Sequence, residues 1–288
     1  MRKAITNSDT VLIKQKRWQL LKRTLFLFIF GLLYTPIWSA DILHFYGLYL
    51  LLGTALILSS DRTLWLTAGA TVLIFILLLF IFDYEAGWNF DTFEYTDFWT
   101  PVGMIRHLFF NGFHPFFPWV AFLLIGIWLG RQDWSNPQYR LKLLGIASVI
   151  AIFTEALSTS LTTILADTDE LALFFDTSPL PPMPLYIIAG ASTAIVVIII
   201  CLIVTEKFTY KVWFPLVATG QLALTLYVAH VVIGMGILEA IGWFENSSIE
   251  QVFIATGIFY VGSIIFSAIW RSRFKRGPLE AVMRRLTD

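Results

Sequence analysis

Residues 184–205, PLYIIAGASTAIVVIIICLIVT, run on without one charged side chain. A helix needs roughly 20 apolar residues to cross a bilayer, and a run of this kind is a spanning helix before it is anything else. Comparable runs lie near 20–39, 42–59, 63–82, 114–131, 143–165, 213–242 and 251–270, which makes eight candidate spans. The chain is 57% hydrophobic and 14% charged, against about 45–50% and about 25% for a soluble domain. Its mean hydropathy is +0.74. The expectation is an all-α, polytopic membrane protein with the lipid bilayer as its first partner. A basic lead would cover 1–19, the helical membrane domain 20–270, and a cytoplasmic tail 271–288.

Lysines and arginines orient the spans. With the amino terminus inside and strict alternation, all twenty but Arg106 fall on the inner side, as positive-inside bias requires. Both termini are then cytoplasmic. The first span ends in Trp38-Ser39-Ala40, and the bulky Trp38 argues against a cleaved signal peptide. The outer loops are acidic, with Asp83, Glu85, Asp91, Glu94 and Asp97 in one and Asp167, Asp169, Glu170 and Asp176 in another. Zero net charge leaves no case for a nucleic-acid partner. The single cysteine, Cys201, excludes an intrachain disulfide. The closing GPLEAVMRRL places Leu279, Val282, Met283 and Leu286 at helical spacing opposite Arg284 and Arg285, an amphipathic helix for the inner leaflet.

Polar residues inside or at the ends of spans are costly and therefore informative. Glu155 lies midway along the fifth span, and Ser158, Thr159 and Thr162 are expected on its face, turned into the bundle or a wet cavity. The seventh span carries Gln221, Thr225, Tyr227 and His230 as a polar stripe. Asp41 and His44 open the second span at i, i+3. That spacing serves a carboxylate-oriented histidine as well as it serves a helix cap. The stretch RHLFFNGFHPFFPW at 106–119 brings Arg106, His107, Asn111 and His114 to the outer face among many aromatics. An aromatic belt accounts for the rings but not for the polar cluster. Asn111-Gly112 and Pro115 should break the helix there. No zinc-type ligand spacing occurs, so no metal is expected.

Four stretches, DILHFYGLYLLLG (41–53), NGFHPFFPWVAFLLIGIWLGR (111–131), GQLALTLYVAH (220–230) and GPLEAVMRRLT (277–287), resemble the YeiB-like bacterial membrane proteins. That domain-of-unknown-function family is placed with heparan-alpha-glucosaminide N-acetyltransferase-like and related multi-pass acyltransferases. The resemblance implies a cytoplasmic-membrane protein that passes an acyl group from an inner thioester donor, acyl-CoA, to an outer sugar or lipid acceptor. No permanently bound cofactor is implied, and the oligomeric state stays open. Such chemistry needs a base and an oxyanion donor. His114 and Asn111 suit these roles by position. Arg106, His107, Asp41, His44, Glu155, Gln221, Tyr227 and His230 would line the substrate or donor path. Members generally begin with further helices and a D-x-x-R-G-type segment, whereas Arg276-Gly277 is the one Arg-Gly here; the expectation is a shortened version or a non-catalytic variant. Two other functions stay open: a proton-coupled transporter or flippase, and a non-catalytic partner subunit.

Overall fold

The structure is a computed structural model that describes residues 10–166, 168–244 and 247–288. Arg2, Lys3 and Asp167, which entered the topology, lie outside the described residues, as do the side chains of Asp169 and Glu170. The chain forms two compact units, Met1–Leu202 and Ile203–Asp288, where the sequence suggested one membrane domain. Among the described residues, five helices are long and apolar enough to cross a membrane, and six if one bent pair counts as a single span.

The first unit begins with α1 (Thr10–Tyr34), so much of the expected lead is already helical. Lys14, Lys16, Arg17, Lys22 and Arg23 confine its uncharged run to 24–34, too short to span alone. Next comes α2 (Leu43–Leu56). Its 14 residues reach about 21 Å at 1.5 Å each, less than the roughly 30 Å of hydrocarbon that the expected second span would have to cross. The helix α3 (Asp61–Ile81) starts on the Ser60 side chain, which accepts from the Thr63 amide at 3.1 Å. One guanidinium secures the turn between α2 and α3: Arg131 donates to the carbonyls of Ser59 (2.8 Å) and Ile57 (3.0 Å) and to Asp61 (2.6 Å). A cation at the carbonyl end of a helix answers both its orphan acceptors and its dipole.

The outer loop after α3 is not featureless. Trp88–Asn89 (β1) and Glu94–Tyr95 (β2) pair antiparallel, which corrects the all-α expectation by one small hairpin. The short α4 (Pro101–Arg106) is capped by Thr100 and runs into a π-helical turn, His107–Asn111. Gly112–Pro115 breaks the path, and α5 (Phe116–Leu129) leaves at 47°. The expected span at 114–131 is thus the second half of a broken element. Then come α6 (Pro137–Ile164), the short α7 (Asp169–Leu173) and α8 (Pro184–Thr205). Leu64 and Ala68 of α3, Ala121 and Leu124 of α5 and Ile187 of α8 form one buried core. Phe45, Tyr49, Leu108 and Val120 form a second, directly beneath the polar cluster.

In the second unit the expected seventh span is divided. It comprises α9 (Tyr210–Gln221), α10 (Ala223–Ala229), a π turn at His230–Met235 and α11 (Gly236–Ala240). The break falls at Leu222, whose φ of −109° and ψ of 19° leave the helical region. A capping box on Ser248 and Gln251 starts α12 (Ile249–Arg273). The tail forms α13 (Pro278–Thr287), with proline in its first turn as expected. Large apolar side chains point outward on the long helices, including Phe253, Ile258, Phe80 and Ile152. That pattern suits hydrocarbon rather than water.

Candidate functional site

Six of the ten sequence-derived candidates meet in the first unit, at the amino-terminal end of α2. Asp41 and His44 are both completely buried. One oxygen of Asp41 does three things: it accepts from the backbone amides of Leu43 (2.9 Å) and His44 (3.2 Å) and from His44 Nδ1 (2.8 Å). The two readings of this spacing therefore coexist, because the cap and the histidine partner are the same atom. A carboxylate only accepts, so Nδ1 carries the proton and Nε2 is the basic nitrogen. His44 Nε2 is buried with no hydrogen-bond partner among the described residues.

His107 stacks on His44 with ring centroids 5.9 Å apart. Four aromatics enclose it: Tyr95 at 4.6 Å, Phe98 at 4.8 Å, Phe45 at 5.3 Å and Trp88 at 6.3 Å. The π turn that begins at His107 carries it into this box, and such turns occur often at functional sites. His114 sits in the chain break, its ring against Trp119 (4.8 Å) and Phe45 (6.1 Å). Its backbone carbonyl accepts from the Tyr49 hydroxyl of α2. Nδ1 of His107, Nδ1 of His114 and Nε1 of Trp119 are buried without partners among the described residues. Nowhere among those residues do three His, Cys, Asp or Glu side chains gather as metal ligands.

Asn111 is buried beside these rings but is already occupied. Its amide nitrogen donates to the carbonyls of Tyr84 and Ala86, both at 2.8 Å, and its amide oxygen accepts from the Tyr95 hydroxyl at 2.7 Å. Its backbone carbonyl takes the Trp88 indole N–H at 2.6 Å. With both amide hydrogens spent, it cannot serve as the expected oxyanion donor; it pins the hairpin over the cluster. Arg106 belongs to the same network. It grips both Asp97 oxygens at 2.7 Å and donates to Tyr95 at 2.8 Å. Burial pushes the Tyr95 phenol up, opposed by the hydrogen bond from Arg106. The sole basic residue expected outside is thus a brace, not a substrate handle. Gly87, at φ +85°, passes so near Arg106 that a side chain there would collide with the guanidinium.

Of the other four candidates, Glu155 does not join this cluster, and three belong to the second unit. Glu155 is exposed and accepts from Thr177 at 3.0 Å. The buried stripe of α6 is Thr154 and Ser158, four residues apart, and Glu155 lies about 100° around the helix from Thr154. It does not face inward as expected. Gln221, Tyr227 and His230 belong to the second unit. Gln221 is exposed and accepts from Arg271 at 2.7 Å, and His230 Nδ1 donates to the Tyr227 carbonyl.

Sequence reasoning overlooked Phe45, Tyr49, Trp88, Tyr95 and Phe98, and it took Trp119, in the same stretch as His114, only as one ring of the aromatic belt. Gly31 was overlooked as well, although its lack of a side chain is what lets α1 touch the Asp41–His44 pair.

A helical architecture with several membrane-crossing segments and outward apolar faces defines a multi-pass membrane protein. Residues 127–288 match the family described as "protein of unknown function (DUF418)", and the chain belongs to it. The match begins after the histidine cluster and includes Glu155, Gln221, Tyr227 and His230. No curated protein and no solved structure matches the chain.

Proposed function

We propose that this YeiB-like membrane protein transfers an acyl group from a thioester such as acyl-CoA to the hydroxyl or amine of a sugar or lipid acceptor. One observation carries the reading: His44 is oriented and held in a single tautomer by buried Asp41, while its Nε2 has no partner among the described residues. That is the arrangement of a general base. His44 Nε2 removes the acceptor proton as the acceptor attacks the thioester carbonyl. The carbon–sulfur bond breaks, and the thiol leaves with the proton returned by His44. Trp119 Nε1, beside His114 and without a partner among the described residues, is the donor best suited to the developing oxyanion, in place of Asn111. His107 and His114 shape the pocket around the base. Eight membrane-associated segments with both termini cytoplasmic, in a bacterial inner membrane, would bring the acceptor to this end of α2.

The test is transfer of labelled acetyl from acetyl-CoA to a hexosamine by the reconstituted protein. His44→Gln should lower kcat by about 100-fold or more, with acceptor KM little changed. Unaltered turnover in that variant would remove His44 from the role. A proton-coupled carrier is the second reading, favoured by the stacked His44 and His107 rings. It requires pH-driven flux that disappears in His107→Phe.

A further inference from the structure

A second feature of the first unit lies outside this chemistry. A groove of about 360 Å³ runs along α2, walled by Leu21 of α1, Leu48 and Leu52 of α2, and Phe109 and Phe116. That volume is within the range of about 300–1,000 Å³ typical of ligand sites. Arg17 lines it too. The antiparallel packing that puts Gly31 beside His44 and Gly47 beside Phe28 carries Leu21 and Arg17 toward the carboxy-terminal end of α2. Phe116, by contrast, packs on Tyr49, 6.2 Å away, nearer the histidine cluster. The groove is therefore polarised, with aromatic carbon at one end and a guanidinium at the other.

Its mouth is apolar and open. Leu51 is 50% exposed and Ala55 is exposed beside it. On a bundle that lies in lipid, an opening of this kind faces hydrocarbon, and filling it with water would strand the water without partners. The charges at its end are not equivalent. Lys16 donates to Gln19 at 3.0 Å. Arg17 makes no hydrogen bond or ion pair among the described residues, although it is only partly exposed. A partly exposed guanidinium with no partner among the described residues, at the foot of a hydrocarbon slot, suits a planar or tetrahedral oxyanion, and the leaflet that faces basic segments is the anionic one.

We infer that this groove holds one acyl chain of an anionic phospholipid, with the lipid phosphate on Arg17. Charge complementarity selects this occupant over a zwitterionic lipid, whose choline would meet the same guanidinium unfavourably. The proposal does not depend on acyl transfer, and its test uses no turnover. The protein is reconstituted in phosphatidylcholine vesicles containing phosphatidylglycerol with a photoreactive diazirine in one chain, irradiated and mapped by peptide mass spectrometry. Label should concentrate on the peptides carrying Leu48–Ala55 and Phe109–Phe116. Arg17→Gln should lower the preference for the phosphatidylglycerol probe over the same probe on phosphatidylcholine by about fivefold. Ala55→Phe, placed at the exposed mouth, should block labelling in the groove and leave that of α12 unchanged. Leu52→Trp, which fills the slot from inside, should do the same. Label spread evenly over outward-facing helices, with neither blocking variant reducing it at the groove, would overturn the assignment. Equal labelling by the two probes in the unmodified protein would overturn the role of Arg17.

Discussion

Gly31 and His44 are so close that a methyl group on the glycine would stand 2.2 Å from the His44 backbone nitrogen and 2.7 Å from the Asp41 carboxylate. The approach brings α1 against the α2 amino terminus, where Asp41 both caps the helix and orients the imidazole. Gly31→Ala must push these helices apart. Overpacking of this sort costs about 1–3 kcal/mol, and thermal unfolding in detergent should show a lower Tm. A Tm equal to the parent's would mean that the two helices separate at no cost.

Asn111 supports the hairpin through three side-chain hydrogen bonds. Asn111→Ala leaves the Tyr84 and Ala86 carbonyls and the Tyr95 hydroxyl short of a partner, at about 1–3 kcal/mol for each group that stays buried. Limited proteolysis should cut 83–97 faster in this variant. Asn111→Asp should be at least as damaging, because a carboxylate would face two carbonyl oxygens. Protection equal to the parent in the aspartate variant would contradict the assigned bonds.

The Tyr84 phenol is buried, and its hydroxyl has no partner among the described residues. Burial pushes its ionisation well above the ordinary value of about 10. A raised folded-state value means that this group favours the native state below about pH 10 and that the benefit is lost as pH rises further. Tyr84→Phe removes an unsatisfied group, so stability at pH 8 should hold or rise, and the alkaline unfolding midpoint should move up. A fall in Tm at pH 8 would show that the hydroxyl has a partner in the folded protein.

Within the second unit, Glu280 of α13 reaches the break at Leu222. It accepts from the Thr225 amide at 3.0 Å and from the Thr225 hydroxyl at 2.5 Å. A carboxylate at the exposed amide end of α10 serves as a cap brought from elsewhere in the chain. Glu280→Gln and Thr225→Val should each loosen α13, seen as faster amide exchange over 278–287. Their effects should couple by about 0.5–3 kcal/mol in a double-mutant cycle. Strict additivity would separate the two residues.

Apolar runs made the long helices legible, and α8 begins and ends where its run does. Gly112 and Pro115 likewise announced the break before α5. The Asp41–His44 partnership was legible too, because i, i+3 spacing acts within one helical turn. Its meeting with His107 was not, since α3 and the hairpin lie between them in the chain and local spacing carries no information over that separation. The hairpin was hidden because its strands have two residues each, too few for an alternating pattern. Glu155 was misplaced for another reason: a polar run marks a face only when the neighbours that bury it are known, and here Thr154 and Ser158 turn inward. The division of the seventh span at Leu222 is capped by Glu280, far along the chain, and apolar content alone read straight through it.

The turn from His107 to Asn111 winds wider than an α turn and so accommodates an extra residue. The wider winding lets His107 enter the aromatic box while Asn111, four residues on, still reaches the Tyr84 and Ala86 carbonyls. Deleting one residue would return the turn to α geometry and draw these two side chains one position closer along the chain, so that they could not both keep their places. Length, and not only residue type, is therefore specified in this short stretch.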